Sequence, residues 1–363
     1  MDEKTLLKTL HDLLALDAPS GHEEKIAEYT SQYLEKLNFS VKQDTAGNVI
    51  GFIQGVGDPI LLTAHMDRVP PGRGNTPVLK NNMLKSNGST NLGTDDAAGI
   101  VIILEAVSHI IKNNVKHPPV LAVFTVKEET GLQGARALDM SDYHVTQGIC
   151  YDNAFEAATI VQNGSTYEGF DAEIIGKPTH PGKDLSMGTN ALQVFLETDW
   201  MIGLSDENRS RINIGVVSSG TARNVVPGNV VIQGELRSIV SDAGVAQKLT
   251  KLENNLKRVC EKHNATYTFS TRRHSSAYSV DLLEPLVQLY KHVIEERGGE
   301  FIAKPTYVGS DANVLRAEKN IRVFTISTGV TDEHTVDERV DIHDLLLLTK
   351  DLATLLEKLG NAL

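Results

Sequence analysis

Cysteine is nearly absent from this chain of 363 residues: Cys150 and Cys260 are the only two, and they stand too far apart in sequence for a redox pair or a metal-ligand spacing. That scarcity excludes a disulfide framework and points to a reducing compartment, with both thiols expected to be inert and buried. An excess of basic charge is missing too. Lys and Arg number 35 against 47 Asp and Glu, for a formal net charge of -12, and the cations are scattered rather than gathered into a stripe. Such a surface repels a polyanion, so nucleic acid is not an expected partner. No long hydrophobic run is present either: the most apolar stretch, "GIVIILEAV", is too short for a bilayer span and contains Glu105. The first residues, "MDEKTLLKTLHDLLALD", carry acids at once and place Leu6, Leu7, Leu10, Leu13 and Leu14 at helical spacing. That pattern predicts an amphipathic helix of the mature protein rather than a leader peptide, and hence a cytoplasmic protein with no membrane partner. Repeats and low-complexity segments are also lacking.

What is present is an ordinary globular composition, 40% hydrophobic and 23% charged, in a chain long enough for two cores. Between residues 40 and 160, β-rich runs ("NVIGFIQG", "PILLTAHMD", "PVLAVFTV", "GICYDNA") alternate with the helical "AAGIVIILEAVSHIIKNN", the pattern of an α/β layered sheet. From 165 to 272 the rhythm changes to strand (165–175), helix (188–203), strand (211–218), strand (229–238), helix (241–263) and strand (265–271). That β-α-β-β-α-β order is ferredoxin-like. The α/β pattern then returns with helices over "LLEPLVQLYKHVIEERG" and "LLLLTKDLATLLEKL" on either side of a strand "IRVFTIST". The expected organisation is an α/β domain of residues 1–163 and 276–363, interrupted by a small α+β domain of residues 164–275.

Metal-binding residue types recur at the ends of the apolar runs. In "LLTAHMDRVP", His65 and Asp67 are two apart and share a face of a strand, so one can bind a metal while the other holds its ring. In "STNLGTDDAAGIVI", Asp95 and Asp96 precede an apolar helix; either could simply be a helix cap, but capping does not require two adjacent acids. "VFTVKEETG" ends in Glu128 and Glu129, "GICYDNA" presents Asp152, and "RVFTISTGVTDEHTVDE" places His334 beyond the last strand. Taken singly, these are a solvated loop, a turn former and a surface histidine. Taken together, His65, Asp95, Glu129, Asp152 and His334 fall at or just beyond the carboxyl ends of strands or at the start of the helix that follows one, where ligand sites of open α/β sheets lie. Two histidines and three carboxylates form a mixed N/O donor set suited to two divalent ions, Zn2+ before Co2+ or Mn2+.

The order of "AHMDRVP", "LGTDDAAG", "KEETGLQGA", "YDN", "GKPTHPG", "NVVPG", "GSDAN" and "STGVTDEHTVDE" resembles the co-catalytic di-zinc metallopeptidases, which include peptidase T (tripeptide aminopeptidase), the aminoacylases and the glutamate carboxypeptidases. The wording of "LGTDDAAG" and "KEETGLQGA" is most similar to the peptidase T branch. The resemblance implies a mixed-sheet catalytic domain carrying an inserted ferredoxin-like lid, and a short peptide as substrate. It implies that Asp95 bridges two ions, that His65 and Asp152 complete one site, and that Glu129 and His334 complete the other. Asp67 would orient His65, and Asp96 would stand behind the ligands. Glu128 would be the general base that takes a proton from the attacking water and delivers it to the leaving amine. His180 in "GKPTHPG" would stabilise the oxyanion, and Asn224 in "ARNVVPG" and Arg237 in "GELRSI" would contact substrate, the arginine through the peptide carboxylate. Lids of this group often form homodimers. An N-acyl amino acid deacylase or carboxypeptidase would use the same centre, and a silent peptide-binding homologue is the alternative from another class. The chain is expected to be shorter than full-length peptidase T, with a compact segment between Asp67 and Asp95.

Overall fold

The computed structural model describes residues 2–183, 185–205 and 207–362. They form two compact units: Met1–Gly164 with Ser279–Leu363, and Ser165–Tyr278.

The larger unit is built on a nine-stranded mixed sheet. Its centre is four adjacent parallel strands in the order Val120–Thr125, Ile60–His65, Gln147–Tyr151 and Arg322–Ile326. The first two are buried at every position, which is why they read as unbroken apolar runs rather than alternating ones. Antiparallel strands flank this centre: Val49–Ile53 pairs with Val120–Thr125, and Ile160–Gly164 pairs with Arg322–Ile326. The helix Thr94–Lys112 crosses between Ile60–His65 and Val120–Thr125 and packs against the helix Ile342–Asn361. It is apolar nearly all round because it is buried nearly all round. Glu105, the one charge in its middle, is buried but satisfied: the hydroxyls of Thr9 and Tyr33 donate to its Oε1 at 2.6 and 2.8 Å. No helix among the described residues is long and apolar enough to cross a membrane.

The N-terminal amphipathic helix runs over Glu3–Leu14, with Leu6, Leu10, Leu13 and Leu14 buried as their spacing predicts. Cys150 and Cys260 are free and buried. A three-stranded sheet of Val78–Lys80, Met83–Lys85 and Arg339–Asp341 joins the segment after His65 to the segment after His334.

The smaller unit is a five-stranded antiparallel sheet in the order Gly203–Ser205, Ser210–Ser219, Asn229–Ser238, Thr166–Ile175 and Thr266–Ser275. Strict alternation of burial along Thr166–Ile175 sends Phe170, Ala172 and Ile174 into a core with Val194, Trp200, Ile232, Leu236, Leu252 and Leu256, beneath the helices Ala191–Glu197 and Asp242–His263. One element differs from its sequence-based expectation. The helix expected over 188–203 is confined to Ala191–Glu197, and Gly203–Ser205 forms a fifth strand instead. Asn190 starts that helix by accepting the N–H groups of Leu192 and Gln193, and the buried Trp200 ends it by donating its indole N–H to the Phe195 carbonyl at 2.9 Å. An apolar spacing that continues past Glu197 therefore belongs to a residue folding back on the helix, not to another turn.

Candidate metal centre

The carboxyl ends of the four central strands converge on one cluster. His65 is the last residue of its strand, Asp152 follows Gln147–Tyr151 directly, Glu128 and Glu129 come three and four residues after Thr125, and His334 lies on the loop beyond Arg322–Ile326. Asp95 is supplied by the crossover helix. Asp95 and Asp96 depart from helical geometry (φ -86, ψ 100 and φ -118, ψ 37), and the peptide between them is cis. The two side chains then take different partners. Asp96, buried, accepts the N–H of Gly99 at 2.9 Å and the N–H of His65 at 3.2 Å, which makes it the cap of the regular helix and a brace behind the strand that ends in His65. Asp95 faces two imidazoles: His65 Nε2 lies 3.4 Å from its Oδ1 and His334 Nε2 lies 3.0 Å from its Oδ2.

Three donor sets lie close enough to hold an ion: His65, Asp95 and Asp152; Asp95, Glu129 and His334; and His65, Glu128 and Glu129. The first two share Asp95 and bring together the residues that the resemblance groups. The third shows how near Glu128 stands to both. Asp152 Oδ2 is buried with no hydrogen-bond partner among the described residues, an acceptor that a cation or a hydrogen-bond donor would satisfy.

The electrostatics describe a cluster of acids held together without enough positive charge. Burial, reinforced by Asp152, Glu129 and Asp311, raises the Glu128 carboxyl well above the usual range. Burial also raises Asp152 and Asp96, each helped by neighbouring carboxylates. Burial opposes charge on the His65 imidazole as well, yet Asp67, Asp95, Asp152 and Glu128 outweigh it and move its pKa well above the ordinary value. Asp95, and then Glu129, raise His334 from 6.5 to about 10, and its Nε2 sits 2.9 Å from Glu129 Oε1. In the metal-free protein the His334 imidazolium thus serves as counter-ion to the pair. Its folded-state pKa is raised, so its stabilisation is complete below pH 6.5 and is lost as the pH rises toward about 10. Chelated protein is expected to lose thermal stability over that window. The same scan on His334→Ala should flatten this part of the profile.

Asp67 does more than its spacing from His65 suggested. His65 Nδ1 lies 3.0 Å from the backbone carbonyl of Asp67 and 3.4 Å from its Oδ1. The closer partners of the Asp67 carboxylate are the Ser20 hydroxyl (2.6 Å) and the N–H groups of Glu128 (2.8 Å) and Glu129 (3.2 Å). One buried carboxylate therefore holds the His65 ring and the adjacent glutamate loop together. That loop is further tied by Glu23, which accepts the Lys127 N–H at 3.0 Å, and by the buried Asn48, which accepts the Val126 N–H and donates to the Gly134 carbonyl. A Cβ on Gly134 would lie 2.3 Å from the Val126 carbonyl oxygen, so only glycine allows this close return of the chain.

Several buried residues of the centre were not singled out from the sequence. Asp311, within the quoted "GSDAN", is 1% exposed, accepts the Thr125 hydroxyl, and is raised to about 6 by burial. The buried Glu338 and Glu23 and the half-buried Ser20 carry no role in the sequence reading. The only signal for Asp311 and Glu338 was that each lies inside a recognisable motif.

The residues expected from the smaller unit lie on its surface. His180 is exposed in the 178–183 turn and accepts the Gly182 N–H through Nδ1 at 3.0 Å, and Asn224 is exposed before the strand Asn229–Ser238. Arg237, on that strand, lies with its guanidinium 4.3 Å from the Tyr167 ring centroid and its Nε 3.1 Å from Glu235 Oε1. Tyr167 in turn stacks on His274 at 4.4 Å.

This arrangement has counterparts among known proteins. The Bacillus subtilis protein YqjE is 28% identical over 370 residues, covering 99% of both chains. The crystal structure of aminopeptidase PepT from Bacillus cereus superposes with a TM-score of 0.93 at 25% identity, covering 99% of each chain. The expectation of a chain shorter than peptidase T therefore does not hold against this structure. A tripeptidase from Staphylococcus aureus shares the fold, with a TM-score of 0.94 at 24% identity and 99% coverage of each chain. Peptidase family M20/M25/M40 matches residues 61–358, a span that includes all five residues gathered at the strand ends, and the chain is a member of that family.

Proposed function

We propose that the protein is a two-metal aminopeptidase acting on tri- or dipeptides, with zinc as the metal. The observation that carries this reading is the position of Asp95. Its two oxygens face one imidazole each, and each imidazole belongs to a separate donor set completed by Asp152 or by Glu129. A shared carboxylate between two N/O sets suits two divalent ions better than one. His65, Asp95 and Asp152 would hold the first ion, and Asp95, Glu129 and His334 the second.

When bound, such ions polarise the scissile carbonyl and lower the pKa of a water molecule. The protein's part is proton transfer and orientation. Glu128 is placed beside both donor sets but is needed in neither, so it is assigned the role of accepting the proton of the attacking water and returning it to the leaving amine. Burial and neighbouring acids raise its affinity for a proton, which favours the acceptor role, while nearby cations favour its ionised form. Asp67 holds the Glu128 backbone, so the base and the ligand His65 share one support.

The smaller unit is assigned a lid and dimerisation role, with His180 stabilising the oxyanion and with Asn224 and Arg237 contacting the substrate. What supports Arg237 is its restraint: stacking on Tyr167 and pairing with Glu235 hold the guanidinium plane in one orientation before substrate arrives. Arg237→Ala is expected to raise KM about tenfold for peptides with a free carboxylate, on the order of one charge-assisted hydrogen bond. Peptide amides should show little change, and steady-state kinetics on the matched pair checks this.

Hydrolysis of free and N-acetylated di- and tripeptides, with and without chelator, tests the function as a whole. Free tripeptides and dipeptides should be cleaved and the activity lost on chelation. A strict requirement for the acetyl group would make the protein a deacylase, and absence of chelator-sensitive amide hydrolysis would make it a silent homologue.

A further inference from the structure

We infer that Glu338 is a positioning residue that locks the two loops carrying Asp95 and His334 together, and so sets the affinity of the second ion site. The inference rests on the assignment of those two residues as metal ligands. Glu338 is 1% exposed, and its carboxylate gathers five donors from one short segment. Its Oε2 accepts the N–H groups of Leu92 and Gly93, each at 2.9 Å. Its Oε1 accepts the N–H and the hydroxyl of Thr94, each at 2.7 Å, and the N–H of Asp95 at 3.2 Å.

Buried backbone N–H groups of an irregular segment have no ladder partner and need a side chain or water to accept from them. Here residues 92–95 lie before the regular helix that Asp96 caps, and their N–H groups are met by a carboxylate from far along the sequence. Gly93 is required for the arrangement: it has φ +77, and a Cβ there would lie 2.6 Å from Cδ and Nε of Arg68. The Arg68 guanidinium, buried, donates to the carbonyls of Leu13 (2.9 Å), Leu16 (2.9 Å) and Leu14 (3.3 Å) while its charge favours that of Glu338.

Glu338 belongs at the same time to the loop that presents His334. The base of this loop is closed by Thr331 and Arg339, which exchange backbone hydrogen bonds of 2.9 and 3.0 Å, and by the Arg339–Asp332 ion pair. The Glu338 carbonyl accepts the Ser86 N–H at 3.1 Å. At the tip, His334 has φ +62, a left-handed conformation that is unfavourable for a non-glycine residue and must be imposed by its surroundings. Among the described residues of this loop, His334 reaches the Asp95 side chain and Glu338 holds the backbone on either side of it. Glu338 fixes the separation at which His334 Nε2 stands 3.0 Å from Asp95 Oδ2.

The isosteric Glu338→Gln variant tests this. In either amide orientation the NH2 group replaces an oxygen that faces at least two donors, so the volume is kept while the grip on the Asp95 loop is broken. Metal affinity and stoichiometry are measured by calorimetric titration of chelated full-length protein with Zn2+. Wild type is expected to bind two ions; in Glu338→Gln the ion of Asp95, Glu129 and His334, which depends on both loops, should be weakened about 10–100-fold, and the ion that depends on the Asp95 loop alone by a smaller factor. Thr94→Val, which deletes one donor beside Asp95, should weaken the same ion by a smaller factor and serves if Glu338→Gln does not fold. Two ions at wild-type affinity in a folded variant would overturn the inference. So would equal weakening of both ions, the mark of a general loss of structure. A wild type that binds fewer than two ions would instead overturn the two-metal assignment on which it rests.

Discussion

Glu128→Gln is expected to lower kcat by about 10²–10⁴-fold, the contribution of a positioned general base, while leaving metal content unchanged. The substitution keeps the length and shape of the side chain and removes only its capacity to accept and return a proton. The backbone of residue 128 should stay in place, because it is held by hydrogen bonds that do not involve the substituted atoms: its N–H donates to Asp67 at 2.8 Å and its carbonyl accepts the N–H groups of Gly131 and Leu132. Glu129 keeps its contact with His334 through its own side chain. Kinetics on a cleaved tripeptide together with elemental analysis separate the two quantities. A loss of one metal equivalent would show that Glu128 is a ligand, and full turnover would remove it from the mechanism.

The second large effect is expected at Asp95. Because its oxygens face both imidazoles, Asp95→Ala removes a donor from each set, leaving His65 with Asp152 on one side and Glu129 with His334 on the other. Two donors are fewer than the three protein ligands usual for a catalytic zinc. Both ions should therefore be lost to modest chelator concentrations, with turnover falling below detection. Asp152→Asn, in contrast, disturbs only the set that contains His65. Titration of both variants with Zn2+ checks the contrast: weakening of both ions in Asp95→Ala, and of one in Asp152→Asn.

Much of this centre was legible in the sequence because the central strands are buried on both faces. "PILLTAH" and "PVLAVFTV" have no polar side of their own, so the charged residues that end them, like Asp152 after "GICY", mark the carboxyl edge of the sheet; this placed His65, Glu128, Glu129 and Asp152 together, while their separate roles came from the resemblance. The sheet order did not follow, since Ile60–His65 lies between Val120–Thr125 and Gln147–Tyr151 through non-local pairing that leaves no local trace. Asp95 and Asp96 looked like alternative helix caps, and the structure divides the roles: Asp96 caps, and Asp95 turns to the imidazoles. Glu338 was illegible for a different reason. "TDEHTVDE" has the composition of a solvated loop, and nothing in it reveals that one of its acids is buried against the backbone of residues 92–95. The same holds for Ser20 and Glu23, whose partners are Asp67 and the Lys127 N–H. Supporting groups are defined by burial and partner, and neither has a sequence period.

The central claim is that two ions share Asp95 while Glu128 stays free of both. Anomalous diffraction at the zinc edge, from crystals grown with Zn2+, tests it most directly. Two peaks roughly 3.5–4 Å apart are expected, one on each side of the Asp95 carboxylate, the first contacted by His65 and Asp152 and the second by Glu129 and His334. A single peak, or a Glu128 oxygen within bonding distance of either ion, would contradict the account.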